Sequence, residues 1–218
     1  MKLEDQRQRF AENWEKNKSL LGTKSWGQDP NFLFFVEIPL AVNLRTSMEK
    51  ISSNLQGLAN EKNKKGLWVA PQRMHITLAL PGRMGVHFQG NEVGFMEKKL
   101  TSLVEEFAPF EVTLGDLNCF PDVIYREVYD ESRNLMRLHQ RICEEIPFAQ
   151  SPEYQFEHFL PHVTMFYGPE NPQIFEHPDF KRTLKSSSMK VDKIYFGKAR
   201  NDKDKYEKHI LSEYSFVS

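Results

Sequence analysis

Two short segments of the chain carry a histidine followed, two residues later, by a threonine. The first is "RMHITLALPG" at residues 73–82, and the second is "FLPHVTMFYG" at residues 159–168. Both are apolar runs that end at a Gly/Pro turn, and a polar side chain is costly to bury in such a run unless it finds polar partners. Two matched copies of His-x-Thr therefore indicate a function rather than two unrelated core histidines.

The spacing places each histidine and its threonine on one face of a strand, because side chains alternate between the two faces. The two pairs are His75 with Thr77 and His162 with Thr164. Imidazoles titrate near neutrality, so one ring can act as base and the other as acid. The hydroxyls can donate hydrogen bonds to non-bridging phosphate oxygens. The set predicts phosphodiester chemistry without a metal or cofactor, and a bell-shaped pH–rate profile with limbs on either side of neutrality.

The elements around the two motifs repeat in the same order. In each half a predicted strand and helix precede the histidine strand, and a predicted helix and strand follow it. The segments are 32–38, 41–59, 91–108 and 109–120 in the first half, and 122–130, 131–146, 172–187 and 189–199 in the second, with a last strand at 208–216. An internal duplication explains this order. It predicts an α+β fold with two pseudo-symmetric lobes, whose antiparallel-rich sheets line a central cleft with helices outside.

The first thirty residues stand apart from this repeat. Residues 1–22 have a thin apolar stripe formed by Phe10, Trp14 and Leu21, which predicts a helix, and the Gly, Pro and Asn of residues 22–31 predict a loop. We expect residues 1–30 to be an extension that docks onto a single domain formed by residues 31–218.

Composition limits the partners of the chain. Its 218 residues contain 29 Lys+Arg and 30 Asp+Glu, and this balance argues against a broad basic face for duplex DNA. A nucleic acid would be held locally, at an end or a single phosphate. The charged N-terminus, two isolated cysteines and lack of long apolar runs predict a cytoplasmic protein without a membrane segment. Nothing indicates a stable protein partner, so we expect a monomer.

Three further residues are candidates for substrate binding. Phe166 shares the His162 face by alternation and could stack on a base, a contact worth about 1–3 kcal/mol. Phe34 and Phe35 in the opening strand point to opposite faces, so at most one of them reaches the cleft; we take Phe34 as the candidate. Arg126 is a cation within an apolar strand, where it could meet a phosphate or lie at a solvated edge.

The remaining histidines are weaker candidates. His158 and His162 form an H-x3-H pair that could indicate zinc, but Pro161 between them disfavours the helix that would bring both rings to one metal. His139 in the predicted 131–146 helix is expected to face solvent. The sequence therefore predicts no metal site.

The paired motifs resemble those of the two-histidine (2H) phosphoesterase superfamily, in particular its LigT-like branch of RNA 2′,3′-cyclic phosphodiesterases and 2′-5′ RNA ligases. The signature of that family is one His-x-Thr/Ser-x motif in each of two pseudo-symmetric lobes. "HITL" at 75–78 and "HVTM" at 162–165 match it, and the resemblance covers residues 32–216.

This resemblance implies a metal-independent enzyme that hydrolyses a 2′,3′-cyclic phosphate, at an RNA end or in a small nucleotide, to a 2′-phosphate. It implies that His162 is the base that activates water and that His75 is the acid that protonates O3′. It leaves 2′-5′ RNA ligation open. Two alternatives also stay open: hydrolysis of 2′,5′-oligoadenylate, and a module that binds a nucleotide or RNA end without turnover.

Overall fold

The computed structural model describes residues 2–20, 33–60, 67–81, 90–146, 159–167, 175, 177, 179–202 and 205–217. The helices are α1 (Leu3–Asn17), α2 (Val42–Asn60), α3 (Gly90–Val104) and α4 (Asn134–Glu145), with a short 3₁₀ turn at Pro71–Arg73. The strands are β1 (Leu33–Pro39), β2 (Leu67–Trp68), β3 (His75–Ala79), β4 (Phe110–Phe120), β5 (Val123–Tyr129), β6 (His162–Tyr167), β7 (Ser187–Val191), β8 (Lys193–Asp202) and β9 (Lys205–Ser215).

Within the described ranges the strands form one antiparallel sheet in the order β7-β4-β5-β6-β3-β1-β8-β9, with β2 paired to β6. The two histidine strands, β3 and β6, are neighbours at its centre. The two halves of the order correspond: β6, β5, β4 and β7 lie on one side of that junction, and β3, β1, β8 and β9 lie on the other. Strand β4 follows β3 in the chain but pairs with β5 in the other half, and β8 follows β6 and β7 in the chain but pairs with β1. The predicted α+β fold with an antiparallel-rich sheet is confirmed.

One face of the sheet, here the core face, carries the main hydrophobic core. Ile38, Ile76 and Val163 are fully or almost fully buried on it, together with Met48 of α2 and Leu138 of α4. Helices α2, α3 and α4 all pack on this face, which is the arrangement that the repeat predicted. The opposite face carries His75, Thr77, His162 and Thr164 and is called the histidine face below.

Helix α1 lies on the histidine face, on the side of the sheet away from the other three helices. Phe10 is 1% exposed and clusters with Val123 and Tyr125 of β5. Gln6 exchanges two hydrogen bonds with the backbone of Asp130, which joins β5 to α4: its side-chain amide donates to the carbonyl at 2.8 Å and its side-chain oxygen accepts from the N–H at 2.8 Å. The helix therefore forms one wall above β4 and β5 rather than an outer layer.

Two sequence-based expectations are wrong. The predicted 172–187 helix does not form over 180–186, where the backbone is irregular and the carbonyls of Arg182 and Lys185 accept hydrogen bonds from Leu117 and Arg126 instead. His139 is not solvent-facing but fully buried, because its Nδ1 bonds the Leu78 carbonyl at 2.7 Å.

No helix in the described part of the chain is both long and apolar enough to span a bilayer.

Candidate active site

The register of β3 and β6 brings the two motifs together. Ile76 of β3 pairs with Val163 of β6 in antiparallel orientation. Antiparallel strands step in opposite directions from such a pair, so His75 lies beside Thr164 and Thr77 lies beside His162. All four side chains share the histidine face, and each histidine has the threonine of the other motif as its neighbour across the strands.

Both imidazoles are anchored in the same way. Nδ1 of His75 lies 2.8 Å from the carbonyl oxygen of Arg73, and Nδ1 of His162 lies 2.8 Å from that of Leu160. In each case the partner is two residues earlier in the chain. A carbonyl can only accept, so Nδ1 carries the proton and donates it, which leaves the lone pair of the neutral ring on Nε2. Each ring therefore offers Nε2 for proton transfer.

Burial holds the pKa of both histidines below the ordinary value. It lowers the pKa of His162 to about 4; the Leu160 carbonyl acts in the opposite direction, and positive charge on His75 adds to the lowering. The His162 ring contacts two aromatic rings, with centroid distances of 4.8 Å to Tyr125 and 5.2 Å to Phe120. At neutral pH, His162 of the free protein is therefore an unprotonated base.

His75 has a different environment because a carboxylate lies at its Nε2. The Oε2 atom of Glu37 is 3.5 Å away, and Nζ of Lys208 lies 2.6 Å from each oxygen of that carboxylate. Burial is the largest effect and lowers the pKa of His75, Glu37 raises it and Lys208 lowers it. The carboxylate favours the imidazolium form, so His75 is better suited than His162 to act as the acid.

Sequence reasoning did not single out Glu37 or Lys208. Glu37 is the one acidic residue in the apolar run "FLFFVEIPL", and its register partner in β3 is Thr77, so strand pairing would have placed it on the histidine face. Lys208 comes from β9, at the opposite end of the chain. Only the fold brings it to the site.

A second buried glutamate occupies the corresponding place in the other lobe. Glu127 of β5 is the register partner of His162 and is 1% exposed. It accepts a hydrogen bond from the Tyr129 hydroxyl and pairs with Arg182 at 3.2 Å. Each lobe thus holds a buried glutamate beside its histidine strand, neutralised by a basic residue, but only Glu37 reaches a histidine Nε2.

The Glu37→Gln variant is expected to lower the pKa of His75 further, because the carboxylate that raises this pKa is lost while Lys208, which lowers it, remains. The measurement is an NMR titration of the imidazole Cε1 protons. Glu127→Gln is the matched control, since it removes an equally buried carboxylate from the other lobe. A His75 pKa that rises in Glu37→Gln, or moves equally in both variants, would contradict this electrostatic assignment.

The prediction for Phe166 is wrong because a β-bulge interrupts the alternation of β6. Ile124 of β5 pairs with Phe166, but the next residue, Tyr125, pairs with Thr164, so Met165 is the extra residue. Phe166 is turned into the core, where it is 2% exposed. The side chain that follows Thr164 on the histidine face is Tyr167, whose hydroxyl hydrogen-bonds that of Thr164.

The second substrate-binding candidate, Phe34, also faces the core. Phe34 packs against the main core and stacks on Phe196 at 5.8 Å, whereas Phe35 lies on the histidine face under Lys208, 4.8 Å from its Nζ. Gly197 leaves space for the Phe35 ring, since a Cβ there would clash with it. The choice between the two phenylalanines was therefore wrong.

Arg126 is 1% exposed, and its guanidinium donates to three backbone carbonyls: that of Gly115 at 2.9 Å, of Lys185 at 2.7 Å and of Leu114 at 3.4 Å. It pairs with Val163, so it points to the core face, away from the histidines. The predicted phosphate contact is wrong: this arginine binds strand and loop backbones together.

The zinc alternative concerns a residue that lies outside the described part of the chain. His158 belongs to the undescribed range 147–158, so the H-x3-H pair stays untested. Among the residues that the structure does describe, no group of three or more His, Cys, Asp or Glu side chains is placed to hold a metal ion.

Comparison with known proteins identifies similar folds. A family model described as the 2′-5′ RNA ligase superfamily matches residues 45–203. TT0787 of Thermus thermophilus is similar at a TM-score of 0.66 and 16% identity, covering 84% of this chain and 97% of that one. E. coli LigT complexed with 3′-AMP has a TM-score of 0.61 at 16% identity, covering 87% of this chain and all (100%) of that one.

E. coli LigT complexed with phosphate is similar at a TM-score of 0.59 and 17% identity, covering 85% of this chain and 97% of that one. No curated protein matches the chain. At these identities the solved structures show a shared fold, and the family model, which spans most of the chain and both His-x-Thr motifs, shows the family. The resemblance seen in the motifs is confirmed: the chain belongs to the 2′-5′ RNA ligase superfamily and has a LigT-like α+β fold.

Proposed function

We propose that the protein is a phosphodiesterase that hydrolyses 2′,3′-cyclic phosphates, at RNA ends or in small nucleotides, to 2′-phosphates. One observation carries this proposal. Two histidines from equivalent strands are anchored through Nδ1 in the same way, present Nε2 on one face, and lie beside the threonines of the opposite motif. Such a pair can add a proton at one side of a phosphate and remove one at the other.

The reaction follows from the different environments of the two rings. His162, unprotonated at neutral pH, accepts a proton from water at Nε2 while the water oxygen forms a bond to phosphorus. The bond between phosphorus and O3′ breaks, and His75, protonated with the help of Glu37, gives its Nε2 proton to O3′. Thr77 and Thr164 donate hydrogen bonds to the non-bridging oxygens as their charge increases. Proton exchange with solvent then restores both rings.

Support for a nucleotide substrate also comes from the family. LigT of E. coli has been crystallised with 3′-AMP and with phosphate. Like 3′-AMP, a 2′,3′-cyclic nucleotide has a ribose with a phosphate on its 3′ oxygen. The two histidines and two threonines here suit a phosphate of that size.

The pH dependence of kcat/KM is expected to be bell-shaped with its maximum on the acid side of pH 6.5. The base must be neutral, so activity is lost as pH falls through the His162 pKa of about 4. The acid must be protonated, so activity is lost as pH rises through the His75 pKa, which lies below 6.5. Because the pKa of both histidines is lowered, both limbs lie at lower pH than the limbs on either side of neutrality that the sequence predicts.

A bound phosphate raises the pKa of both rings, because an adjacent anion favours the charged imidazolium. The kcat profile, which reports the complex, is therefore expected at higher pH than the kcat/KM profile. Steady-state rates measured from about pH 3.5 to 8.5 provide both profiles. A kcat/KM maximum above neutrality would contradict the assignment of these two pKa values.

The experiment that tests the proposed function is incubation of the chain with the four 2′,3′-cyclic nucleotides, followed by separation of 2′- and 3′-phosphates. The 2′-phosphate should accumulate, with ¹⁸O from labelled water on phosphorus, and EDTA should leave the rate unchanged. The same preparation is tested on 2′,5′-oligoadenylate, since hydrolysis of that substrate alone would favour the second candidate. Tight binding of both substrates without product would identify a binding module and overturn the proposal.

A further inference from the structure

Helix α1 and the edge of the histidine face border an open groove that the proposed reaction does not use. One face of the helix supplies four side chains, at positions that recur every turn, and the sheet side supplies two. The lining residues are Arg9, Glu12, Asn13, Lys16, Phe120 and Leu160. Spacings of three and four along a helix place side chains on one face, so all four α1 residues look into the groove.

The groove opens beside His162. The Phe120 ring lies 5.2 Å from the His162 ring, and the carbonyl oxygen that accepts from His162 Nδ1 belongs to Leu160. Two of the six lining residues are thus in direct contact with the proposed base. A substrate that continues from His162 past the Phe120 ring would reach this groove.

The α1 wall is held by hydrogen bonds across the sheet surface, so its groove-facing side chains have a defined position. Asn13 donates to the Cys119 carbonyl and to the Tyr125 hydroxyl, both at 2.8 Å. In return the Asn118 side chain donates to the Phe10 carbonyl at 2.8 Å. These contacts join the first part of the chain to β4 and β5.

The chemistry of the lining suits a nucleotide. Arg9 and Lys16 are cations that can bind backbone phosphates, and Phe120 offers an aromatic ring for base stacking. The acidic member, Glu12, accepts a hydrogen bond from Gln8 at 2.8 Å and also interacts electrostatically with Arg9. Cations at both ends of one helix face, with a ring opposite, resemble the combination that single-stranded nucleic acid sites use.

We propose that α1 forms a subsite for the nucleotide that adjoins the reacting cyclic phosphate, with Arg9 and Lys16 on the sugar–phosphate backbone and Phe120 against the base. This inference rests on the proposed function and extends it to a substrate class: the chain prefers oligonucleotide ends to mononucleotides. Helix α1 lies outside residues 45–203, the part of the chain that the family model matches.

The test compares the variant Arg9→Gln/Lys16→Gln with the control Lys18→Gln/Lys50→Gln. Both remove two positive charges; Lys18 pairs with Glu15 outside the groove and Lys50 is exposed on α2. Isothermal titration gives Kd for a tetranucleotide that ends in a 2′-phosphate and for the matching mononucleotide. Neither ligand is turned over, so the measurement does not depend on catalysis.

The ratio of mononucleotide to tetranucleotide Kd should fall by about tenfold in the groove variant and stay unchanged in the control. The dependence of log K on log salt for the tetranucleotide should become shallower by about 1.4, the contribution of two phosphate contacts to a single strand. Assayed on cyclic-phosphate substrates, the groove variant should lose the oligonucleotide preference in kcat/KM and the control variant should keep it.

The outcomes separate this inference from the proposed function. If the wild type turns over cyclic mononucleotides but binds the tetranucleotide no more tightly, the subsite is refuted and the enzyme proposal stands. If equal losses occur in the groove and control variants, general charge attraction explains binding and the subsite is again refuted. If the tetranucleotide preference depends on Arg9 and Lys16 but no substrate is turned over, the groove is supported and the reaction is not.

Discussion

Substitution of His162 or His75 by alanine is expected to lower kcat/KM for a 2′,3′-cyclic nucleotide by about 10²–10⁴-fold in each case. In the proposed reaction His162 accepts the proton of the attacking water and His75 supplies the proton of the departing O3′, so each step loses its proton-transfer group when the ring is absent. The double variant should lose less than the product of the two single losses, because groups that act in one step are not additive. The measurement is the initial rate of 2′-phosphate formation.

Loss of fold is the alternative explanation for such a result, and the structure offers a matched control. His209 on β9 is an exposed histidine in the same sheet, so His209→Ala removes an imidazole without touching the histidine face. It should retain wild-type activity, and all three variants should unfold at similar temperatures. Either His75→Ala or His162→Ala with more than about a third of the wild-type rate would exclude the two-histidine mechanism.

The sequence was enough to predict that each histidine shares a strand face with the threonine of its own motif, because this depends only on local rules. Strand alternation placed each histidine with its threonine, and the repeated order of elements predicted that both strands belong to one architecture. The structure adds the register of Ile76 with Val163, which decides that each histidine neighbours the opposite threonine. That register depends on packing between lobes, which no local pattern encodes.

The failures have physical causes that single-sequence reasoning cannot resolve. Phe166 was assigned to the wrong face because one extra residue in β6 shifts the alternation, and an extra residue leaves no mark on the sequence. A cation in an apolar strand needs partners, which for Arg126 predicts either a phosphate or a solvated edge; its partners are instead the carbonyls of Gly115 and Leu114 in β4 and of Lys185.

Helix α1 shows a third limit. The thin apolar stripe predicts a helix in an extension that docks onto the domain, but it does not identify the side chains that dock. In the structure these include side-chain amides, with Gln6 and Asn13 bonded to the backbone at Asp130 and Cys119. Amide side chains are counted as polar in any hydropathy pattern, so the pattern assigns the docking face to solvent.

The Phe10→Ala variant is expected to reduce the free energy of unfolding by about 3–5 kcal/mol, the range for removal of a buried aromatic side chain. Phe10 is 1% exposed, and its ring lies 5.3 Å from Tyr129 and 6.4 Å from Tyr125. Urea unfolding followed by circular dichroism measures the change. Phe95→Ala is the matched control, since Phe95 on α3 is 40% exposed and should cost far less.

The full cost is realised only if α1 stays part of the cooperative unit. If docking of α1 contributes less than the lost packing, the helix detaches first, and the observed destabilisation stops at the free energy of docking. Hydrogen exchange within Leu3–Asn17 then becomes fast while that of β3 and β6 stays slow. Either result shows that Phe10 anchors the wall of the groove beside His162, and detachment would also remove the tetranucleotide preference. A change below about 1 kcal/mol, with exchange in α1 as slow as in the wild type, would show that this contact does not hold the helix.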